Sequence, residues 1–335
     1  MYFVQDYSLA VLFCVATMFC WGSWGNTQKL AGKTWRYELF YWDYVIGLVL
    51  FGILAGLTMG SIGSQGRSFI PDLLQASPAN LGSAFFAGIL FNASNILLSA
   101  AIAIAGMSVA FPVGIGIAMV LGVIVNYLGN PQGDPLLLFA GVGVIMVAIL
   151  LNAIAFKIKD AATVQQSTGT SKGIVLSIIC GVLMAFFYRF VASSMSLDFA
   201  NPEVGKMTPY SAFTVFTLGI LASTFVFNTI VMKKPFAGPP VPLSDYFKGS
   251  VKIHSVGLLG GAIWALGNIL NLVAAGKAGP AISYGLGQGA TLVAALWGIL
   301  IWKEFKGAPR LSTQLNIAMF VLFIVGLGLI IRAGL

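Results

Sequence analysis

Ten long apolar runs constrain the fold of this chain more than any other feature of its sequence. Each run is about 20 residues long, the length that a helix needs to cross the hydrocarbon core of a membrane. A transmembrane barrel would instead show alternating segments about ten residues long. The sequence therefore predicts an all-α membrane protein with ten transmembrane helices. They are expected at residues 8–28, 39–60, 81–104, 107–128, 135–156, 173–196, 211–232, 254–275, 280–302 and 314–332.

Composition and charge support a membrane location. The chain is 58% apolar and 8% charged with a mean hydropathy of +0.93, whereas soluble domains carry about 25% charged residues. Thirteen Lys and Arg residues lie in the loops of one side and four on the other. The positive-inside rule places the richer side in the cytoplasm. We therefore expect a multi-pass protein of the cell (inner) membrane with both termini extracytoplasmic.

The net charge of +8 requires no nucleic-acid partner, because it belongs to short loops that face membrane lipid. The first run is interpreted as a retained span, since no basic residue precedes it.

Few residues suit catalysis or metal binding. Cys14, Cys20 and Cys180 all lie in apolar runs and offer neither a disulfide framework nor a metal spacing. The single histidine, His254, begins the eighth run and is interpreted as an interfacial side chain in preference to a proton relay. Neither paired acids nor a phosphate-binding loop is evident. The sequence thus predicts that the protein is not an enzyme, binds no metal and needs no cofactor.

The chain contains an internal repeat. AGMSVAFPVGIG at 105–116 aligns with AGPAISYGLGQG at 278–289, and the same offset of 173 residues places Asn95 over Asn268. The polar linker 159–172 separates two five-span halves, 1–158 and 173–335. Because five is odd, the second half enters the membrane from the other side. Two inverted five-helix repeats are typical of secondary transporters, which bind their substrate near mid-membrane.

Amide side chains form faces on the predicted third and eighth helices. Asn92 and Asn95 share a face in the third, and Trp264, Asn268 and Asn271 share one in the eighth. Such groups turn away from lipid because an unpaired amide is costly there. Two interpretations stay open. The amides bond helix to helix, or they reach a central solute from both halves.

The end of the first span is unusually polar. Trp21, Trp24 and Gln28 share a helical face, with Asn26 beside it. Interfacial tryptophans alone would not explain the amides. Flat aromatic surface beside amide groups is typical of a site for a neutral polar ligand.

Polar side chains also occur among the glycines of the ninth span. Tyr284 and Gln288 lie one turn apart there, so they are expected to point into the same polar cavity. A tyrosine hydroxyl bonded to a neighbouring helix is the alternative.

Two charged residues fall inside predicted spans, where a charge costs a few kcal/mol. Arg189 either faces the cavity and binds an anionic group, or snorkels outward and binds backbone carbonyls. Asp43 is interpreted as a structural cap, as an ion-pair partner of Lys29 or Lys33, or as a proton carrier.

Two motifs carry a family resemblance. WGSWGNTQKL at 21–30, followed by YWDY at 41–44, resembles the branch of the drug/metabolite transporter superfamily that holds glucose/ribose porters, the rhamnose–proton symporter and the plant ureide permeases. The resemblance implies secondary transport of small polar solutes, often coupled to protons. It places Ser23, Trp24 and Asn26 beside the cavity, with Asp43 and Tyr44 opening the second span. The short linker departs from the long loop of plant ureide permeases.

The predicted function is uptake of a sugar or a ureide or nucleobase-like solute by alternating access, coupled to protons. Trp24 and Tyr284 are expected to stack on the solute, while Asn26, Asn95 and Asn268 bond to it. Asp43 or Arg189 would supply charge. The alternative is an exporter of amphipathic metabolites or drugs with the same fold. The oligomeric state stays open.

Overall fold

The computed structural model describes residues 1–32, 34–162 and 170–335. Ten helical segments among these residues are long and apolar enough to cross a membrane: Tyr7–Ala31, Tyr37–Leu57, Pro78–Ala105, Phe111–Gly129, Pro135–Lys159, Ser171–Ser193, Pro209–Lys233, Val251–Ala278, Pro280–Ile301 and Arg310–Ala333. The predicted all-α membrane fold with ten spans is confirmed, and each predicted bound is within four residues of the observed one. Lys33 and residues 163–169 of the linker lie outside the described part.

The helices follow one another with short connections. In chain order they are α1 (Tyr7–Ala31), α2 (Tyr37–Leu57), α3 (Phe69–Gln75), α4 (Pro78–Ala105), α5 (Met107–Ala110), α6 (Gly116–Gly129), α7 (Pro135–Ala162), α8 (Thr170–Ser193), α9 (Pro209–Lys233), α10 (Val251–Ala278), α11 (Pro280–Gln288), α12 (Ala290–Leu296) and α13 (Arg310–Ala333). A 3-10 turn at Leu243–Lys248 lies between α9 and α10.

The fourth and ninth spans are not continuous α-helices. A π-helical turn at Phe111–Ile115 joins α5 to α6, and a second at Trp297–Ile301 follows α12. Pro112 lies in the first of these turns, where its missing N–H interrupts the regular ladder. Both spans therefore contain a break in the regular α-helical hydrogen-bond pattern, and such π-helical turns are frequent near functional sites.

Local sequence explains where several helices begin. Asp6 accepts a hydrogen bond from the Leu9 N–H at 2.8 Å and caps α1. Ser77 and Ser250 cap α4 and α10 in the same way. Each cap satisfies a backbone donor that the first turn leaves unpaired.

Two glycines end corresponding helices of the predicted repeat. Gly106 follows α4 with φ 84° and ψ 168°, and Gly279 follows α10 with φ 78° and ψ 155°. Such angles are readily available only to glycine. The two positions are 173 residues apart, the offset of the sequence repeat. They lie at opposite ends of the bundle, which is consistent with the predicted inversion.

Glycines bring helix backbones into direct contact. A Cβ on Gly47 of α2 would lie 2.2 Å from the Leu258 carbonyl oxygen, and one on Gly261 of α10 would lie 2.0 Å from the Tyr44 carbonyl oxygen. Gly261 thus lies in the α2–α10 interface. Close backbone approach at small residues is a common way for membrane helices to associate.

The two predicted halves share one core. Helix α1 packs against α10, α4 packs against α8 and α9, and α2 packs against α9 and α10. Each of these contacts joins residues 1–158 to residues 173–335. Any site near the middle of the bundle is therefore built from both halves.

The outer surface and the two ends of the bundle differ in character. Large apolar side chains such as Leu54, Leu128 and Phe225 are exposed on the helices, as suits contact with lipid rather than water. We call the end that carries Lys29, Arg36, Lys234, Lys248 and Lys303 the basic end, which is the end predicted to face the cytoplasm.

Candidate functional site

A small cavity lies near the middle of the bundle, between α1, α4, α8 and α10. Its volume is about 20 Å³, room for about one water molecule. Five predicted site residues line it: Trp21, Trp24, Asn95, Trp264 and Gln288. The other lining residues are Phe91, Leu98, Phe111, Ile115, Met184, Phe187 and Ala290. A solute larger than water therefore has no room in the cavity in this structure.

Aromatic rings fill most of the space around the cavity. The Trp21 and Trp264 rings stack with centroids 5.6 Å apart and planes 13° apart, and Phe91 lies 4.3 Å from Trp264. Phe187 in turn packs edge-on against Phe91 at 5.2 Å. Sequence reasoning missed these phenylalanines, because a phenylalanine in an apolar run looks the same whether it faces lipid or the bundle centre.

Unpaired polar atoms remain at the cavity. The Asn95 Nδ2 atom donates to the Tyr41 hydroxyl at 3.3 Å, and that hydroxyl donates to Asn92 Oδ1 at 2.8 Å. Asn95 Oδ1 and Trp21 Nε1 are buried without a hydrogen-bond partner among the described residues. Burying an unpaired donor or acceptor costs about 1–3 kcal/mol. Each atom therefore keeps a hydrogen-bonding capacity that no described residue uses.

Two further predicted amides lie on α10, beyond the lining residues. Asn268 follows Trp264 by one turn, is 1% exposed, and has no partner for either amide atom within the described part of the chain. Asn271 donates to the Ser283 carbonyl oxygen at 2.7 Å, while its Oδ1 is unpaired there. Asn271 thus ties α10 to α11, whereas Asn268 keeps its full hydrogen-bonding capacity.

The polar end of α1 binds neighbouring segments. Gln28 donates to the Ser99 carbonyl oxygen at 2.8 Å and accepts from the Ser99 hydroxyl at 2.6 Å. Asn26 donates to the Ser23 carbonyl oxygen and accepts from the Trp302 indole at 2.6 Å. Neither side chain lines the central cavity in this conformation. Both hold α1 against other helices.

The same end of α1 makes two more links to the segment after α12. The Trp297 indole donates to the Ser23 hydroxyl at 2.9 Å. Lys29 forms an ion pair with Glu304 and lies 4.6 Å above the Trp302 ring. The Lys29 ammonium is thus paired with Glu304 rather than with Asp43.

Three other predicted residues lie away from the cavity. Asn92 donates to the Ser223 hydroxyl at 2.8 Å and joins α4 to α9. The Tyr284 hydroxyl donates to the carbonyl oxygens of Ala118 and Met184 at 3.2 Å, which is the helix-bonded alternative. Arg189 packs against Gly129 at the C-terminal end of α6. A positive charge there interacts favourably with the negative end of the helix dipole. None of the three lines the central cavity.

Asp43 belongs to a separate polar cluster near the basic end. Its carboxylate is 1% exposed. It accepts from the Trp35 indole at 3.2 Å and from the Tyr246 hydroxyl at 2.5 Å, and its Oδ1 atom lies 2.8 Å from His254 Nδ1. We call these four residues the Asp43 cluster. Sequence reasoning treated His254 as an interfacial side chain and did not connect it to Asp43, because the two are 211 positions apart.

The charge of Asp43 affects its tyrosine neighbour. Burial, the hydrogen bond to Asp43 and the charge of that carboxylate raise the pKa of Tyr246 above its ordinary value. Tyr246 therefore stays a protonated donor to Asp43 at physiological pH.

Two larger spaces open at the basic end. One of about 980 Å³ is lined by Trp35, Leu39, Asp245, Gly249 and Lys252, next to the Asp43 cluster. The other, of about 780 Å³, is lined by Gln28, Lys29, Ile102, Gly106 and Trp302. Gln28 and Ser99 lie one turn beyond the cavity residues Trp24 and Asn95. Their paired hydrogen bonds therefore lie between the central cavity and the second space.

Ten apolar helices around a closed aromatic and amide cavity have the form of a multi-pass membrane transporter. Comparison with known proteins agrees: the family model "Ureide permease" matches residues 40–172 and 153–333. The chain belongs to the ureide permease family, a family of permeases and not of enzymes. The predicted family resemblance is confirmed.

Individual relatives cover the whole chain. Ureide permease 1 of Arabidopsis thaliana is 23% identical over 100% of this chain and 99% of its own length, and ureide permease 5 is 25% identical over 99% and 96%. A putative sugar uptake protein of Lactococcus lactis is 22% identical over 93% and 95%. A solved crystal structure matches with a TM-score of 0.57 at 16% identity, covering 97% of this chain and 96% of its own. That last likeness concerns the fold alone.

Proposed function

We propose that the protein takes up a small neutral polar solute, either a sugar or a ureide or nucleobase-like compound, by proton-coupled alternating access. The central cavity is the binding site in this proposal, closed in the present conformation. The relatives support it by their names, which concern ureides and sugars. Both classes are neutral and rich in hydrogen-bonding groups.

One observation carries the proposal. Asn95 Oδ1 and Trp21 Nε1 are buried and unpaired beside the stacked Trp21 and Trp264 rings. An acceptor and a donor beside flat aromatic surface suit a neutral polar solute, which binds through hydrogen bonds and ring contact. In an open conformation the two indoles separate and the solute lies against them.

Asn268 is the second amide that we assign to the solute. Both of its amide atoms lack partners among the described residues, and it lies one turn from Trp264 on α10. Since α10 belongs to the second half of the chain and Asn95 to the first, a solute held by both amides would couple the movements of the halves. Such coupling is what alternating access requires.

The test is a thermal-shift panel on purified protein with hexoses, pentoses, deoxysugars, allantoin, uracil, xanthine and nucleosides. A ligand at 100 times its Kd stabilises the binding state by about 2.7 kcal/mol. Asn95→Ala and Asn268→Ala are expected to abolish the shift. Asn152→Ala is the matched control, because it removes a buried amide that pairs with Asn316 far from the cavity. A thermal shift that survives in both Asn95→Ala and Asn268→Ala contradicts the proposed site.

Export of amphipathic metabolites is the second candidate. The apolar lining residues Leu98, Ile115 and Met184 favour it. Amphipathic cations in the same panel would then shift the melting curve while sugars and ureides would not. Counterflow of the binding solute into proteoliposomes distinguishes transport from binding alone.

A further inference from the structure

The Asp43 cluster joins three parts of the chain at one carboxylate. Trp35 precedes α2, Tyr246 lies in the 3-10 turn 243–248, and His254 lies in the first turn of α10. The space of about 980 Å³ lies beside them at the basic end. A buried carboxylate with this many donors from separate elements is a junction that holds those elements together.

The two carboxylate oxygens are not equivalent. Among the described residues, Oδ2 accepts from the Trp35 indole alone, whereas Oδ1 is within hydrogen-bond distance of both Tyr246 and His254. An ionised oxygen can accept from two donors. Once Oδ1 carries a proton it donates to His254, and the negative charge that strengthens the hydrogen bond from Tyr246 is gone.

We propose that Asp43 and His254 together form a proton-binding site of this transporter, and that proton binding there releases Tyr246 from α2 and opens the basic end. The proton enters from water at the His254 imidazole, whose side chain is 24% exposed. Nδ1–H passes its proton to Asp43 Oδ1 as the other ring nitrogen gains one. The pair thus gains one proton and changes from a net charge of −1 to zero.

Neighbouring charges are already paired with one another. Arg36 binds Glu38 at 2.5 Å and also donates to the carbonyl oxygens of Ala237 and Pro239. Asp245 pairs with Lys248 at 2.6 Å.

Other charges near the cluster do not reach Asp43 either. On α1, Lys29 pairs with Glu304, and Lys252 on α10 is exposed. Within residues 1–32, 34–162 and 170–335, His254 is the one basic side chain bonded to Asp43. Within this part of the chain, a proton can therefore reach Asp43 from a basic side chain through His254.

The cluster is also mechanically linked to the central cavity. Tyr44 follows Asp43 on α2, and its ring packs on the cavity residue Trp24 with centroids 4.9 Å apart. Tyr41 accepts from the cavity amide of Asn95. On the other side, His254 and Trp264 lie on the same helix. A change in the α2–α10 contact therefore moves residues that line the cavity.

A first experiment needs no solute. His254 is the only histidine of the chain, so ¹⁵N-histidine NMR of the full protein in nanodiscs reports this site alone. We expect the neutral imidazole to carry its proton on Nδ1, facing Asp43, and the titration curve to change in Asp43→Asn. Asp245→Asn, an acid-to-amide change in the neighbouring turn, should leave the curve unchanged. Superimposable titration curves for wild type and Asp43→Asn would overturn the proposal that Asp43 and His254 form one proton-binding site.

Hydrogen exchange tests the release of the turn. After correction for the intrinsic effect of pH, wild-type exchange in residues 243–250 should rise about tenfold on acidification, as expected for loss of one hydrogen bond to a charged group. In Tyr246→Phe it should be fast at every pH. If the corrected wild-type exchange does not depend on pH, the proposed release of Tyr246 is overturned.

Transport supplies the last readout, and only this readout rests on the proposed function. Asp43→Asn and His254→Gln should lose accumulation of the panel's binding solute driven by a pH gradient, yet keep its counterflow. Gradient-driven accumulation at the wild-type level would overturn the proton role. If no panel solute is transported, the proposed function fails while the NMR and exchange results still decide the proton site.

Discussion

Gln28 and Ser99 exchange two hydrogen bonds across the α1–α4 interface, at 2.8 Å and 2.6 Å. The pair lies between the central cavity and the space of about 780 Å³ at the basic end. It accounts for part of the polar stretch at the end of α1, where Asn26, Ser23 and Lys29 bind the segment 297–304. These side chains hold the end of α1 against α4 and against the segment 297–304.

The Gln28–Ser99 pair should contribute measurably to stability. A double-mutant cycle with Gln28→Ala and Ser99→Ala is expected to give a coupling energy of about 1–2 kcal/mol, because each single change leaves a buried partner unpaired. Reversible unfolding in mixed detergent measures it. Ser255→Ala is the control, since that hydroxyl is exposed and bonds within its own helix. A coupling energy near zero would mean that the bond from the Ser99 hydroxyl to Gln28 does not hold α1 to α4.

Trp264→Leu should weaken solute binding about tenfold, because it removes one of the two stacked indole rings, Trp21 and Trp264, at the cavity. Trp264→Phe should retain part of the affinity. Titration of the panel's binding solute measures both. Trp42→Leu is the matched control, since Trp42 packs on Phe225 and Met232 away from the cavity. Equal losses in Trp264→Leu and Trp42→Leu would argue for a general effect on folding.

Gly261→Ala should destabilise the protein by about 1–3 kcal/mol, because the added methyl meets the Tyr44 backbone 2.0 Å away and α2 and α10 must separate. Gly143→Ala on α7 is the control. A Cβ there meets nothing within 4 Å, so the higher helix propensity of alanine should give neutral or slightly higher stability. Thermal unfolding of the two variants compares them directly. Similar melting curves would contradict the backbone contact.

Tyr246→Phe should change the dependence of stability on alkaline pH. The pKa of Tyr246 is raised from its ordinary value of 10.0 by burial and by Asp43, so the folded protein binds this proton more tightly than the unfolded chain does. Its contribution is present below pH 10 and is lost as the pH rises further. The variant should therefore lose stability less steeply above pH 10. Unfolding midpoints between pH 8 and 11 measure the slope, and Tyr2→Phe, at an exposed position, should follow wild type.

The ten spans and the equivalence of Gly106 with Gly279 could be predicted from the chain itself. Hydrophobic length and local glycine chemistry act over neighbouring residues, so they are visible in the linear order. The family likewise followed from the local motifs of the first two spans.

Only the tertiary structure decided which polar side chains contact one another. Asn95 and Asn92 share one helical face, yet only Asn95 lines the cavity, because α2 and α9 take up the hydrogen bonds of Asn92. Helical periodicity shows that a face turns inward without showing which neighbour it meets.

The pairing of Asp43 with His254 joins residues 211 positions apart, and their contact follows from the close glycine packing of α2 on α10. The sequence by itself determined the spans and the family. The arrangement of helices around the centre decided which amides face the cavity and which acid meets the only histidine, because those contacts depend on side chains from distant parts of the chain.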